Sequence, residues 1–197
     1  MSATTFYALL LFSFVSSITP GPNNIMLFSS GLNFGMWRTL PHMLGISIGF
    51  GVLLLAIAVG LGAFIETFPV LLLAIKIAGG GYMLYLAYRI ATSGPVEVRE
   101  GTATPMSFLA AAAFQWVNPK AWVMATVAMA TYTTEGEYWR DVAIVIFAFV
   151  VINFPSVSVW AGFGTALRSV LRDPFWLRVF NGTMAALLVA SLYPMLQ

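Results

Sequence analysis

The chain has 197 residues, of which 60% are hydrophobic and only 8% are charged, and its net charge is +2. An ordinary soluble domain carries roughly 25% charged residues, so this composition excludes a soluble globular protein and predicts a membrane protein. The chain has no cysteine and one histidine, so we predict no disulfide, no metal site and no cofactor. The small and scattered positive charge also argues against nucleic acid as a partner.

Six apolar segments follow one another along the chain, each at least about 20 residues long, which is enough to cross a bilayer. They cover about residues 5–31, 40–65, 69–88, 107–132, 142–167 and 175–196. In lipid only helices and closed barrels satisfy the backbone, and these segments lack the alternation of barrel strands. The sequence therefore predicts an all-α polytopic membrane protein with six transmembrane helices.

The connectors differ in charge from one side of the predicted membrane to the other. Those after the first, third and fifth spans contain Arg38, Arg89, Arg99, Arg168, Arg172 and Arg178. Those after the second and fourth spans contain only Arg140 as a basic residue. Because basic connectors stay in the cytoplasm, both termini should lie outside.

The longest connector, residues 92–105, divides one membrane domain into two halves, residues 1–91 and 106–197. Each half has three predicted spans, an odd number, so the halves should have opposite orientations. The sequence therefore predicts two inverted three-helix repeats.

The first span is interrupted near its centre by Thr19-Pro20-Gly21-Pro22, followed by Asn23 and Asn24. Proline has no N–H, so the two prolines should release the carbonyls of Ser16 and Ile18 from helical hydrogen bonds. Gly21 adds backbone freedom, and the asparagines can cap or line the start of a second half-helix. We predict a helix that is broken at mid-membrane.

The fourth span contains a comparable interruption at Gln115 and at Asn118-Pro119-Lys120. Asn118 suits the helix N-cap, and Pro119 suits the first helical position. Lys120 then lies deep in the span, where a charge is costly unless it faces a cavity, water or a partner.

The two breaks occupy equivalent positions in oppositely oriented halves. Their second half-helices should therefore begin near one central region, with N–H groups and positive dipole ends converging there. Together with Lys120, this region suits a carboxylate, and the neighbouring amides and free carbonyls could hold an amino group. The alternative for the first break is a proline kink that only shapes packing.

Both motifs, Thr19-Pro20-Gly21-Pro22 and Asn118-Pro119-Lys120, resemble the signatures of the LysE/RhtB family of amino-acid exporters. The third span, with Lys76-Ile77-Ala78-Gly79-Gly80 before Tyr82, is also similar to that family. The resemblance implies a transporter without enzymatic activity, located in the bacterial inner membrane with periplasmic termini. It implies export of an amino acid or a close derivative by alternating access, driven by the proton gradient, with the substrate, lipid and protons as partners.

A few further residues are candidates for the cavity or for coupling. Lys76, Tyr82 and Asn153 could face it, although Lys76 could also reach the membrane interface and Tyr82 could only pack. Trp122 could shape the substrate site, and His42 is expected at the cytoplasmic interface.

Other interpretations stay open at this stage. No span contains a carboxylate expected to be buried, since Glu66 and Asp141 fall at outer ends, so proton coupling depends on the resemblance. The rivals are a non-transporting membrane scaffold or assembly factor and an exporter of another small solute, such as a cation. Gly45-Ile46-Ser47-Ile48-Gly49 has small-residue spacing that favours internal helix packing, with a homodimer as the alternative.

Overall fold

The computed structural model describes residues 1–61, 67, 69–92 and 104–193. Most of the predicted connector 92–105 lies outside the described residues, as do Glu66 and the side chain of Lys76. Within the described residues the regular structure is entirely helical. The predicted all-α class is therefore confirmed for this part of the chain.

Eight α-helices follow one another in the described residues. They are α1 (Ala3–Ile18), α2 (Pro22–Phe34), α3 (Met36–Ala56), α4 (Pro69–Ala91), α5 (Phe108–Phe114), α6 (Pro119–Tyr132), α7 (Tyr138–Ala166) and α8 (Pro174–Ala190). A π-helical segment, Ile57–Leu61, extends α3. Each of the six predicted apolar segments contains at least one helix.

Two of the described helices are long and apolar enough to cross a membrane. One is α3 with part of its extension, Met36–Gly60 with 25 residues, and the other is α7 with 29 residues. The pair α1 and α2 passes the same test as one bent span, with an angle of 55° between its halves. Length and composition thus support two or three spans in the described residues, and the six-span inverted repeat stays a prediction.

Both predicted breaks are present in the backbone. In the first, α1 ends at Ile18 and α2 starts at Pro22, with extended backbone at Thr19 and Gly21. In the second, α5 ends at Phe114, a turn follows, and α6 starts at Pro119 after the extended cap residue Asn118. The prolines end each helix where their missing N–H groups predict it.

The helices of the two chain halves pack mainly against each other. Helix α7 packs against α1, α2 and α3, while α4 packs against α8. One apolar cluster joins Leu9 of α1, Phe50 of α3, Trp122 of α6 and Phe149 of α7. This packing places the two breaks next to one another.

The crossing of α2 and α7 requires two glycines. A side chain at Gly31 would overlap the backbone of Ala161, and one at Gly164 would overlap the carbonyl oxygen of Phe28. Small residues at such crossings allow helix backbones to approach closely, which is how helices associate in lipid.

Replacing Gly164 by alanine should therefore destabilise the protein. The added methyl group meets backbone atoms, which cannot move aside as a side chain can, so we expect a loss of about 1–3 kcal/mol in the free energy of unfolding. Gly162→Ala is the matched control in the same helix, because a Cβ there would meet nothing within 4 Å. The midpoints of thermal unfolding in detergent measure the difference, and equal midpoints for the two variants would contradict the crossing.

The predicted small-residue pattern in α3 is used inside the chain. A Cβ at Gly45 would overlap the carbonyl oxygen of Phe108 and lie 2.7 Å from the Cβ of Ala111. A Cβ at Gly49 would lie 2.5 Å from the Cα of Ala112. These glycines therefore seat α5 against α3, so their spacing does not require a second copy of the chain.

Candidate functional site at the two helix breaks

A small cavity lies where the two breaks meet. Eight of the predicted site residues line it: Gly21, Pro22, Asn23, Asn24, Gln115, Asn118, Lys120 and Asn153. The cavity is small, with a volume of about 30 Å³. Polar groups from both chain halves thus surround one small space.

The carbonyls released in the first break have found other donors. The Thr19 hydroxyl donates to the Ser16 carbonyl at 3.1 Å, and the indole N–H of Trp160 donates to the Ile18 carbonyl at 3.0 Å. These are the two carbonyls that the prolines were predicted to release. Each buried backbone acceptor needs such a partner, because an unsatisfied one is costly away from water.

The break also places the carbonyl end of one helix beside the N–H end of another. At the start of α2 the cap residue, Gly21, makes no side-chain hydrogen bond, and the first-turn N–H groups of Asn23 and Asn24 have no intrahelical acceptor. The amide of Asn24 turns back to donate to the carbonyls of Ser17 and Thr19, at 2.8 and 2.7 Å. Acceptors and donors of the backbone are thus adjacent at the cavity.

Lys120 links the second break to the first. Its ammonium donates to the Thr19 carbonyl at 2.8 Å, the Thr19 hydroxyl at 2.9 Å and the Pro20 carbonyl at 3.2 Å. Three protons thus meet three oxygens at the C-terminal end of α1, where the helix dipole favours a positive charge. This contact explains how a lysine is tolerated among apolar helices.

A pair of amides provides another link between the halves. The Asn23 amide donates to the Gln115 side-chain oxygen at 2.8 Å, and the Gln115 amide donates to the Asn23 side-chain oxygen at 3.1 Å. The Gln115 amide also donates to the Ala111 carbonyl at 2.9 Å. The pair fixes the start of α2 against the end of α5.

Asn153 of α7 bridges two further helices beside the cavity. Its amide donates to the Ser17 hydroxyl at 3.1 Å, and its side-chain oxygen accepts from the Ser47 hydroxyl at 2.9 Å. All three side chains are buried. Asn153, predicted as a cavity residue, therefore holds α1 and α3 in place next to the site.

The second break is closed more tightly than the first. The Asn118 side chain caps α6 by accepting from the Lys120 backbone N–H at 3.1 Å, as the sequence predicts. The N–H groups of Ala121 and Trp122 bond to the Asn118 carbonyl at 3.0 and 3.3 Å. The first-turn donors of α6 are thus engaged, whereas those of α2 have no helical partner.

Three predicted residues contribute away from the cavity wall. The indole N–H of Trp122 donates to the Trp116 carbonyl at 2.9 Å and so closes the second break, while Pro119 packs against Gly79 of α4. Tyr82 lies in a separate pocket that it shares with Phe114. Lys76 was predicted as well and belongs to α4, but its side chain lies outside the described residues.

Sequence reasoning missed Trp160, Ser17 and Ser47. Trp160 and Trp122 have the same role at the two breaks. The Trp160 indole donates to the Ile18 carbonyl at the first break, and the Trp122 indole donates to the Trp116 carbonyl at the second. Serines in apolar spans bond to helix backbones so often that neither serine stood out. Counting donors for the released carbonyls would have indicated a need for such a group, without showing which residue supplies it.

Two ionisable residues are more buried than predicted. His42, expected at the interface, is only 2% exposed, and neither ring nitrogen has a hydrogen-bond partner among the described residues. It lies on the same helical face as Gly45 and Gly49, which packs against α5 and so excludes solvent.

Asp141, expected at an outer end, has no exposed side-chain surface. It accepts a 2.7 Å hydrogen bond from the Thr134 hydroxyl, and Arg140 and the Met1 amino group lie 3.5 and 3.6 Å from its other oxygen. Asp141 lies at the start of α7, just before the apolar segment 142–167, so it places no carboxylate within a predicted span, and these cations compensate for its burial.

The fold and the cavity together define a helical membrane protein with a polar site at two broken helices. The family model described as LysE type translocator matches residues 14–191. The chain belongs to this family, so the protein is a transporter and not an enzyme.

Among curated proteins, the chain is similar to efflux proteins. It is 30% identical to the cysteine/O-acetylserine efflux protein of Escherichia coli (strain K12) over 193 residues, covering 96% of each chain. It is also 30% identical to the protein of the same name from Klebsiella pneumoniae over 195 residues, covering 96% of this chain and 95% of the relative. No solved structure matches.

Proposed function

We propose that this protein exports a small amino acid or a close derivative from the bacterial cytoplasm. The observation that carries the proposal is the first break, where backbone oxygens at the end of α1 lie close to the backbone N–H groups at the start of α2, next to the polar cavity. A zwitterion has the complementary arrangement, because its ammonium and carboxylate are attached to the same carbon.

The N–H groups of Asn23 and Asn24 are proposed to bind the substrate carboxylate. They lie at the positive end of α2, where an anion is favoured. The amide pair of Asn23 and Gln115 offers further donors at the same end. The substrate ammonium is proposed to bind the oxygens of Thr19 and Pro20, which accept hydrogen bonds from the Lys120 ammonium in this structure.

Cysteine and O-acetylserine are the first candidate substrates, since the similar curated proteins are named for their efflux. The rest of the cavity wall supports a short side chain. It consists of Ser16, Ser17, Phe50, Ala121, Met124 and Val157, a mixture of hydroxyl and apolar groups.

Transport is proposed to occur by alternating access in six spans arranged as inverted repeats, with the breaks near the membrane centre. Both termini would be periplasmic, and protons entering the cell would drive export. The cavity is small, about 30 Å³, and the half-helices are proposed to separate when a substrate binds.

Uptake into everted membrane vesicles tests the proposal, because export from a cell corresponds to uptake by such vesicles. We expect vesicles that contain this protein to accumulate labelled cysteine or O-acetylserine faster than vesicles without it. Collapsing an acid-inside pH gradient should slow this uptake if protons drive it. No uptake of either compound, and no competition by any common amino acid, would refute amino-acid export; uptake that ignores the gradient would refute proton coupling alone.

A further inference from the structure

We propose that Lys120 is an internal substitute for the substrate: in the empty carrier its ammonium occupies the position that the substrate ammonium takes in the loaded carrier. The inference rests on the proposed function and names a role for Lys120 in the transport cycle. In the empty carrier the Lys120 ammonium contacts the oxygens of Thr19 and Pro20, and a bound amino acid replaces this contact.

The chemistry of the contact supports this exchange. The Lys120 side chain and an amino acid both present a primary ammonium with three protons. In this structure the three go to the carbonyl and hydroxyl of Thr19 and to the carbonyl of Pro20, at 2.8, 2.9 and 3.2 Å. A group that replaces Lys120 there without loss must likewise offer several N–H donors, as a primary ammonium does, whereas a quaternary amine has none and an acylated amine has one.

The available space also makes the two occupants mutually exclusive. The Lys120 side chain lies directly over Gly21, since a Cβ at Gly21 would be 2.8 Å from its Cδ and 3.2 Å from its Nζ. The remaining cavity beside it is small, about 30 Å³. Withdrawal of Lys120 would free both the oxygens and the space beside the start of α2.

The replacement of Lys120 by the substrate ammonium matters for the transport cycle. An exporter must turn its binding site from the cytoplasm to the outside while loaded, and back to the cytoplasm while empty. Without an ammonium, the Pro20 carbonyl and the Thr19 hydroxyl oxygen would lose the donor that Lys120 supplies whenever the empty site closes, and the Thr19 carbonyl would keep only the Asn24 amide. Closing the site over acceptors that lack a donor is costly. Lys120 removes this cost only for the empty carrier, because the substrate supplies its own ammonium in the loaded one. The withdrawn Lys120 would then pair with the substrate carboxylate.

The test compares two modes of transport in proteoliposomes that contain purified protein and reduced, labelled cysteine. Net efflux into cysteine-free buffer requires the empty carrier to return, whereas exchange against unlabelled cysteine does not. We expect Lys120→Met to lower net efflux at least about tenfold more than exchange, the factor that corresponds to losing one charge-assisted hydrogen bond. Arg178→Met is the matched control, since Arg178 is exposed and bonds to Pro174 of its own helix; its ratio of net efflux to exchange should equal that of the wild type.

A binding measurement covers the case in which the variant transports poorly for structural reasons. Ethylammonium should raise the melting temperature of Lys120→Met, where no ammonium meets the oxygens of Thr19 and Pro20, and leave that of the wild type unchanged. An equal shift in both proteins, or in neither, would overturn the proposal that Lys120 takes the place of the substrate ammonium. A ratio of net efflux to exchange in Lys120→Met that equals the wild-type ratio would overturn it as well. If the wild type moves cysteine in neither mode, the proposed export of cysteine fails instead.

Discussion

Gly21→Ala is expected to lower net amino-acid efflux at least about tenfold while the protein stays folded. The backbone of Gly21 is extended, with φ of −176°, so alanine adopts it without strain. The new methyl group would instead lie 2.8 Å from the Cδ of Lys120 and displace its flexible side chain. The ammonium would lose its place at Thr19 and Pro20, which we expect to cost about 1–3 kcal/mol of stability.

Net efflux from proteoliposomes and thermal unfolding in detergent would measure the two effects. Gly81→Ala is the matched control, because a Cβ at Gly81 of α4 would meet nothing within 4 Å. Wild-type efflux from the Gly21 variant would show that the position of Lys120 does not matter for transport. Loss of folded protein would show that the site tolerates less movement than its side-chain contacts indicate.

Asn153→Asp should abolish most transport with little change in packing. The side-chain oxygen that Asn and Asp share can still accept from the Ser47 hydroxyl. The Ser17 hydroxyl can donate to the oxygen that replaces the amide nitrogen, so both hydrogen bonds of the bridge can be kept. The added negative charge at the cavity would repel a substrate carboxylate and attract the Lys120 ammonium. At a low effective dielectric such an interaction exceeds about 1.4 kcal/mol, so a loss of tenfold or more is expected.

The pH dependence of transport by this variant distinguishes an effect of the added charge from an effect of altered geometry. Protonation of the new carboxyl removes its charge, so transport relative to the wild type should rise as the pH falls. Asn33→Asp is the matched control, since Asn33 is exposed and its amide bonds to Ser29 within α2. A deficit in the Asn153 variant that is the same at every pH would mean that the bridge geometry, and not the charge, is what transport requires.

Local chemistry made the two breaks predictable. Proline ends a helix through its own missing N–H, wherever the rest of the chain lies, so Pro20, Pro22 and Pro119 specify where the helices stop. Asn118 could be identified as a cap for the same reason, because its side chain bonds to a backbone group only two residues away. Composition likewise predicted a helical membrane protein without any knowledge of packing.

The direction of Lys120 was not predictable in this way. The sequence placed the Lys120 ammonium among half-helix N-termini and so suggested that it binds the substrate carboxylate. In the structure its ammonium instead binds oxygens about 100 residues earlier in the chain, at the C-terminal end of α1. A break has two ends, and sequence reasoning assigned Lys120 to the end that offers N–H groups, whereas its ammonium binds at the end that offers carbonyls.

The sequence by itself determined that the chain is helical, apolar and broken at two places, and it provided the motifs of the translocator family. These properties follow from composition and from bonds between neighbouring residues. Only the tertiary structure decided which distant donors meet the carbonyls at the first break: the Trp160 indole at Ile18, and the Lys120 ammonium at Thr19 and Pro20. Such partners lie 100 or more residues apart in the chain, so their pairing depends on how α6 and α7 pack against α1 and α2.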